Sequence, residues 1–182
     1  FGGGNEIINS ALKRLNVVGF PAGSSGTQMG GWFRKEIAGV DDFKGLRMRI
    51  IGMGGPVLAR LGAVPYQMGH ADVYSGLENG TLDAAEFVCP HDDEKLGIVK
   101  VARFNYYPCW WEGSGTIHMV INLDKWNELP KTYQSILARA CDAASGWMEA
   151  KYDAVNPPAL RRLAAAGAVT KPFPQPLLEA CY

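Results

Sequence analysis

Between residues 44 and 93 the chain repeats one pattern: alternating apolar and polar residues, a glycine-marked stop, then apolar residues at helical spacing (KGLRMRIIGMGGPVLARLGAVPYQMGHADVYSGLENGTLDAAEFVCPHDD). In LRMRII, Leu46, Met48 and Ile50 alternate with Arg47, Arg49 and Ile51, which predicts a strand with one buried face. Gly52, Gly54, Gly55 and Pro56 end that strand, and VLARLGA begins a helix. A second extended piece over 64–68 precedes an amphipathic helix over 71–78, stopped by Asn79-Gly80 as a left-handed C-terminal signal. TLDAAEFV closes the unit and carries Glu86 to its edge. Strand, helix, strand, helix and strand on short connections make a right-handed parallel βαβαβ unit. Arg49 and Glu86 then stand at strand exits, where ligands sit in open α/β sheets.

Before this unit, EIINSALKRL carries apolar residues at 7, 8, 11, 12 and 15, the stripe of a helix. NVVGF over 16–20 is a short buried strand, and PAGSSGTQMGG over 21–31 is a flexible loop. Residues 32–37 form either a helical turn or a hydrophobic corner, and 39–44 a turn. After the unit, 92–100 is a short helix with Asp92 and Asp93 as cap and first-turn acids. FNYYPCWW over 104–111 is dense in aromatics, TIHMVIN over 116–122 is a strand, and 125–129 is a helix broken by Pro130. The longest helix runs from 131 to 152 or 155, with apolar residues at 133, 136, 137, 140, 144, 147 and 148. Asn156-Pro157-Pro158 interrupts it, a further helix covers 159–166, and the Pro-rich tail is poorly defined.

Composition narrows the class. A chain of 182 residues with 47% apolar and 20% charged residues can bury a sizeable core. Lys plus Arg equals Asp plus Glu at 18 each, a balance that argues against nucleic acid or an anionic membrane surface as partner. No apolar run has the ~20 residues that span a bilayer. The opening FGGGNEIINS lacks an initiator Met and reads as the middle of a longer protein. Cys89, Cys109, Cys141 and Cys181 form no C-x-x-C, so packing is the better account of them, with a Cys89–Cys109 disulfide as the alternative.

Several residues carry candidate chemistry. Arg49 at a strand end either meets a ligand carboxylate bidentately or pairs with Glu86 or Asp83 as a structural ion pair. Glu86 and Glu112 each precede a loop. Brought together they repel unless a cation lies between them; otherwise they act as an acid/base pair or are unrelated surface residues. GMGGP fails both the dinucleotide and the P-loop patterns and fits a tight strand-to-helix turn. His91-Asp92-Asp93-Glu94 is either a metal cluster or an acidic helix N-terminus. Tyr106, Tyr107, Trp110 and Trp111 are core residues or, beside Glu112, the wall of a small-molecule pocket.

The segments WFRKEI, FKGLRMRI, LARLGAVP, DVYSGLENGTLDAAEFV, PHDDEKLGIVKVA, YYPCWWEGSGTIHMVIN and KWNELPKTYQSIL resemble the solute-binding receptors of TRAP transporters. The resemblance is closest to the subgroup that binds α-keto or α-hydroxy monocarboxylates such as pyruvate and lactate. It implies an α/β, two-lobed periplasmic-binding-protein fold with hinge-crossing strands and a long C-terminal helix. On that basis 1–43 and 88–122 are part of the N-terminal lobe, whose start is missing. Residues 44–87 and 123–150 form the C-terminal lobe, and 151–182 a C-terminal helical extension.

The resemblance also implies a site. Arg49 matches the arginine that pairs with the ligand carboxylate. Gln28 matches the amide ligand of a bound cation, Glu86 and Glu112 its carboxylate ligands, and Phe87 its backbone carbonyl ligand, where the subgroup usually has Trp. With Na⁺ or Ca²⁺ present the charges nearly balance, and the acid bridges cation and guanidinium as the lobes close. The implied role is a non-enzymatic receptor in the periplasm that delivers its acid to TRAP membrane permease subunits, with a homodimer as a possible assembly. The alternative is a metal-assisted hydrolase or lyase using Glu86 and Glu112 as acid and base.

Overall fold

The structure, a computed structural model, describes residues 3–182. By compactness the chain divides into two units, one of Phe1–Gly26 with Ser114–Asp153 and one of Thr27–Gly113 with Ala154–Tyr182.

In the first unit, α1 (Gly4–Leu12) precedes β1 (Val17–Thr27), which pairs with β7 (Ser114–Asn122) in a two-stranded sheet. After β7 comes α5 (Leu123–Glu128), capped by the Asn122 side chain, which accepts a bond from the Lys125 amide. The first part of α6 (Lys131–Ala165) completes the unit. Strand β1 runs on through PAGSSGT, where the glycines and serines predict a loop. Pairing with the long β7 supplies the ladder bonds that overrule local turn propensity there. Neither Pro157 nor Pro158 breaks α6, although each lacks the N–H of the helical ladder.

The second unit is built on a six-stranded mixed sheet. Its strands are β2 (Gly31–Phe33), β3 (Arg47–Arg49), β4 (Val64–Tyr66), β5 (Ala84–Ala85), β6 (Phe104–Tyr107) and β8 (Val169–Pro172), in the order β4-β3-β5-β2-β6-β8. Strands β4 and β5 pair parallel to β3, with Arg47 opposite Val64 and Arg49 opposite Ala85, as the βαβαβ pattern predicts. The helices between them are α2 (Gly54–Arg60) and α3 (Val73–Glu78); beyond the sheet centre come α4 (Pro90–Leu96) and α7 (Gln175–Cys181). Strand β2 is antiparallel to both β5 and β6. The carboxyl ends of β3, β5 and β6 therefore share one edge of the sheet with the amino end of β2.

Adjacent residues along a strand feed opposite layers. Phe33, Met48, Ala84 and Tyr106 join Phe43, Leu58, Phe173 and Leu177 in one core. Trp32 and Ala85 join Val73, Leu77, Leu82, Ile98 and Leu163 in the other. Because both faces are covered, alternation in LRMRII does not separate buried from exposed, and Arg49 is buried beside Met48 and Ile50.

The compact units divide near 26, 113 and 153, whereas the lobes expected from the sequence divide near 43, 87 and 122; β2 and β6 hydrogen-bond into the sheet that contains β3 and β5. This sheet corrects two expectations. Residues 151–182 are not a helical extension: after α6 the chain adds β8 parallel to β6 and then α7, which buries Leu177. Residues 32–37 do not make a helical turn, since Trp32 and Phe33 lie in β2.

Candidate functional site

Five sequence-singled residues lie in the sheet unit. Arg49 ends β3 and Glu86 follows β5, both almost wholly buried at 2% and 1% exposure. Strand pairing brings them together: the Glu86 amide donates to the Arg49 carbonyl at 2.9 Å. Arg49 Nη1 donates to Glu86 Oε2 at 2.6 Å and to the Glu86 carbonyl at 2.7 Å, while Nε donates to the Met68 carbonyl at 3.3 Å. Nη2 makes no hydrogen bond among the described residues. Of the two structural partners considered for Arg49, Asp83 is taken by Arg47, whose Nε and Nη2 reach its two carboxylate oxygens at 2.8 Å each.

The other pair stands on neighbouring loops. Gln28, buried before β2, donates from Nε2 to Glu112 Oε1 at 3.3 Å, and its amide donates to the Gly113 carbonyl at 3.4 Å. Gly31 holds the turn between Gln28 and β2 at φ +122, and a Cβ there would lie 3.1 Å from the Ala85 carbonyl. The Phe87 ring meets the His70 ring edge-on, with centroids 5.2 Å apart. Its main-chain carbonyl accepts no hydrogen bond among the described residues.

Electrostatics links the two pairs. Burial raises the Glu86 carboxyl to about 7, Arg49 pulls it down, and the Glu112 carboxylate pushes it up again. Burial, with Glu86 and Glu112 nearby, drives the Cys109 thiol up to about 12. Glu86 and Glu112 are therefore close enough to repel, and the buried Arg49 guanidinium pairs with Glu86.

Such a donor set suits a hard cation. Two carboxylates, one amide and one free main-chain carbonyl offer oxygen alone, the chemistry that Na⁺ and Ca²⁺ prefer. Among the described residues no three His, Cys, Asp or Glu are grouped to hold a metal, so amide and main-chain oxygens must complete any cage. The same finding leaves His91 to Glu94 with the helix-terminus alternative. Asp92 and Asp93 occupy the first turn of α4, and Glu94 pairs with Arg162 through two bonds of 2.6 and 2.7 Å. GMGGP is a strand-to-helix turn, with α2 starting at Gly54. Among the described residues none of the four cysteines is joined in a disulfide, so the Cys89–Cys109 alternative falls away.

Sequence reading gives Asp93 only the roles of a first-turn acid or a metal-cluster member. Its carboxylate is buried at 1% exposure and accepts the Trp32 indole N–H at 2.8 Å. Burial pushes it up to about 7 against the pull of the Trp32 bond. An acid in a helix first turn reads as solvated, and only the three-dimensional position of Trp32 reveals the partner. Tyr106 is core, stacked on Phe173 at 5.1 Å, and Trp110 meets Trp111 edge-on at 4.9 Å.

Known proteins share this arrangement of sequence and fold. The family model described as bacterial extracellular solute-binding protein, family 7, matches residues 2–182. A monocarboxylate 2-oxoacid-binding periplasmic protein of Nostoc sp. is 49% identical over 179 residues, covering 98% of this chain and 49% of that protein. A TRAP transporter solute-binding protein from Bordetella bronchiseptica, a mixed-occupancy dimer with copurified calcium and picolinate, superposes with a TM-score of 0.96 at 48% identity. That match covers 100% of this chain and 54% of the other. A TRAP periplasmic solute-binding protein from Pseudoalteromonas atlantica with bound sodium and pyruvate gives a TM-score of 0.93 at 38% identity, over 100% of this chain and 55% of the other. The chain thus spans about half the length of the relatives it matches. It belongs to the bacterial extracellular solute-binding proteins of family 7.

Proposed function

We propose that the intact protein is the extracytoplasmic receptor of a TRAP transporter. It binds a small 2-oxo or 2-hydroxy monocarboxylate, of the pyruvate and lactate type, together with Na⁺ or Ca²⁺ in the periplasm. It hands that acid to membrane permease subunits. The observation that carries this reading is the buried Arg49 guanidinium, whose Nη2 keeps donor capacity while Nη1 holds the Glu86 carboxylate. The ligand carboxylate takes those donors, and a charge-assisted bond in a buried site is strong. The 2-oxoacid name of the Nostoc relative and the cation-and-acid pairs in the two superposed structures support the same reading.

Gln28, Glu86, Glu112 and the Phe87 carbonyl would hold the cation. It would supply positive charge that offsets the Glu86–Glu112 repulsion and attracts the acid's oxygens. Arg49 fixes Glu86 for this task and orients the acid. The acid leaves unchanged: Glu86 is engaged with Arg49, and the Cys109 thiol, pushed up to about 12, is no nucleophile at neutral pH. A hydrolase or lyase role for the two glutamates finds no support in these contacts.

Calorimetric titration of the intact protein with pyruvate and with lactate, with cation and with chelator, tests the reading. We expect one acid per chain and affinity that falls at least about tenfold on chelation. Absence of binding to both acids, or conversion of either, would defeat it.

A further inference from the structure

The turn from Glu86 to His91 carries two of the proposed cation donors, yet it belongs to no strand or helix until α4 begins at Pro90. Several contacts hold it, beginning with the Arg49 bonds to the Glu86 carbonyl and carboxylate. At its start, Glu86 is paired through its amide to β3. In the middle, the Val88 amide faces Asp93 Oδ1 at 3.5 Å. At its end, the His91 amide donates to Asn156 Oδ1 at 3.1 Å. Asn156 also hydrogen-bonds the side chain of Cys89, a fully buried residue whose thiol reaches Asp92 Oδ2 at 3.6 Å.

Asn156 is thus an amide used on both sides, accepting from the turn's backbone and bonding its buried thiol. It stands on α6 directly before Pro157 and Pro158. From the sequence that triplet reads as punctuation alone. The two prolines have no N–H, so this stretch of helix is poor in its own ladder bonds.

We propose that Asn156 is a positioning residue of the binding site: it holds the Cys89–His91 end of the turn so that the Phe87 carbonyl is presented to the cation beside the Glu86 carboxylate that Arg49 fixes. The inference rests on the receptor reading above. Losing a net hydrogen bond of this kind changes an equilibrium by about fivefold, and Asn156 makes two contacts, so an effect of roughly five- to thirtyfold on cation affinity is expected. Arg49 is untouched, and the weakening should therefore shrink when the acid is titrated at saturating calcium.

The test uses the intact protein and two substitutions. Asn156→Ala removes both contacts; Asn156→Asp keeps the acceptor for the His91 amide. Calcium affinity is measured by calorimetry in the presence of pyruvate, and amide hydrogen exchange of 86–92 is followed in calcium-free protein. We expect Asn156→Ala to speed exchange at His91 and to weaken calcium at least fivefold, with Asn156→Asp restoring the His91 protection and at least half of the lost binding energy. A merely structural contact would lower the unfolding midpoint in both variants without this rescue. Wild-type calcium affinity in Asn156→Ala with faster His91 exchange overturns the inference alone. Should Asn156→Ala fail to fold, Asn156→Asp decides: calcium weakened fivefold or more despite a protected His91 amide would overturn it. If wild-type protein binds neither pyruvate nor lactate, the receptor reading falls and this inference with it.

Discussion

Replacing Arg49 with methionine removes a guanidinium of similar length and leaves Glu86 alone. The two groups are 2.6 Å apart and both nearly wholly buried. Deleting one partner of such a pair costs about 3–5 kcal/mol, because the remaining charge has no solvent. Glu86 sits at about 7 even with Arg49 pulling it down, so without Arg49 it takes up a proton at neutral pH. That relief places the loss at about 3 kcal/mol at pH 7, growing as pH rises. Replacing both residues, Arg49→Met with Glu86→Leu, removes the buried charge and should recover most of the stability. Binding should behave differently. The acid loses its charge-assisted partner, worth about 2–5 kcal/mol or roughly thirtyfold and more in affinity, in the single variant, and the double variant loses more because Glu86→Leu also removes a proposed cation donor. Urea unfolding and pyruvate calorimetry in calcium separate the two effects. If the double variant regained both stability and wild-type pyruvate affinity, Arg49 would be a structural ion-pair residue only.

Other outcomes follow from the same contacts. In chelator, stability should fall as pH rises from about 4 to 7. Glu86 and Asp93 are raised from 4.5 and 3.8 to about 7, so the folded state binds more protons than the unfolded state across that window. Thermal unfolding of Glu86→Gln and Asp93→Asn should each flatten that slope, and an unchanged slope in both would refute the assignment. Trp32→Phe strips the indole donor from buried Asp93 and should destabilise by about 1–3 kcal/mol in urea, a loss that lessens at acid pH. Gly30→Ala would drive a methyl into the Phe173 ring and the Pro108 carbonyl beside Gln28. It should cost about 1–3 kcal/mol and weaken acid binding with it, as unfolding and calorimetry on one sample would show.

The central βαβαβ unit is legible in the sequence because its punctuation is local. Gly52 to Pro56, Asn79-Gly80 and the alternation around Met48 act within a few residues. What is not legible depends on partners distant in the chain. PAGSSGT becomes a strand because β7, some ninety positions on, supplies its ladder. Trp32 and Phe33 become a strand because β5 and β6 close on them from both sides. The tail becomes β8 because Phe104 to Tyr107 offers an open edge.

The site divides in the same way. Residue types at strand exits and a family resemblance single out Gln28, Arg49, Glu86, Phe87 and Glu112. The structure brings Arg49 to Glu86 and Gln28 to Glu112 within one unit. The lobes expected from the sequence divide them otherwise, Gln28 and Glu112 in one and Arg49, Glu86 and Phe87 in the other. The sequence marks Asp93 only as a first-turn or metal-cluster acid and Asn156 only as helix punctuation, because their partners Trp32 and His91 are 61 and 65 positions away.

The central claim is that Gln28, Glu86, Glu112 and the Phe87 carbonyl hold one cation while Arg49 holds the acid. A crystal structure of the intact protein grown with calcium and pyruvate tests it most directly. The account predicts a cation within about 2.3–2.6 Å of oxygens from those four residues and the pyruvate carboxylate on the Arg49 guanidinium. Pyruvate bound away from Arg49, or calcium held by other residues, would contradict it.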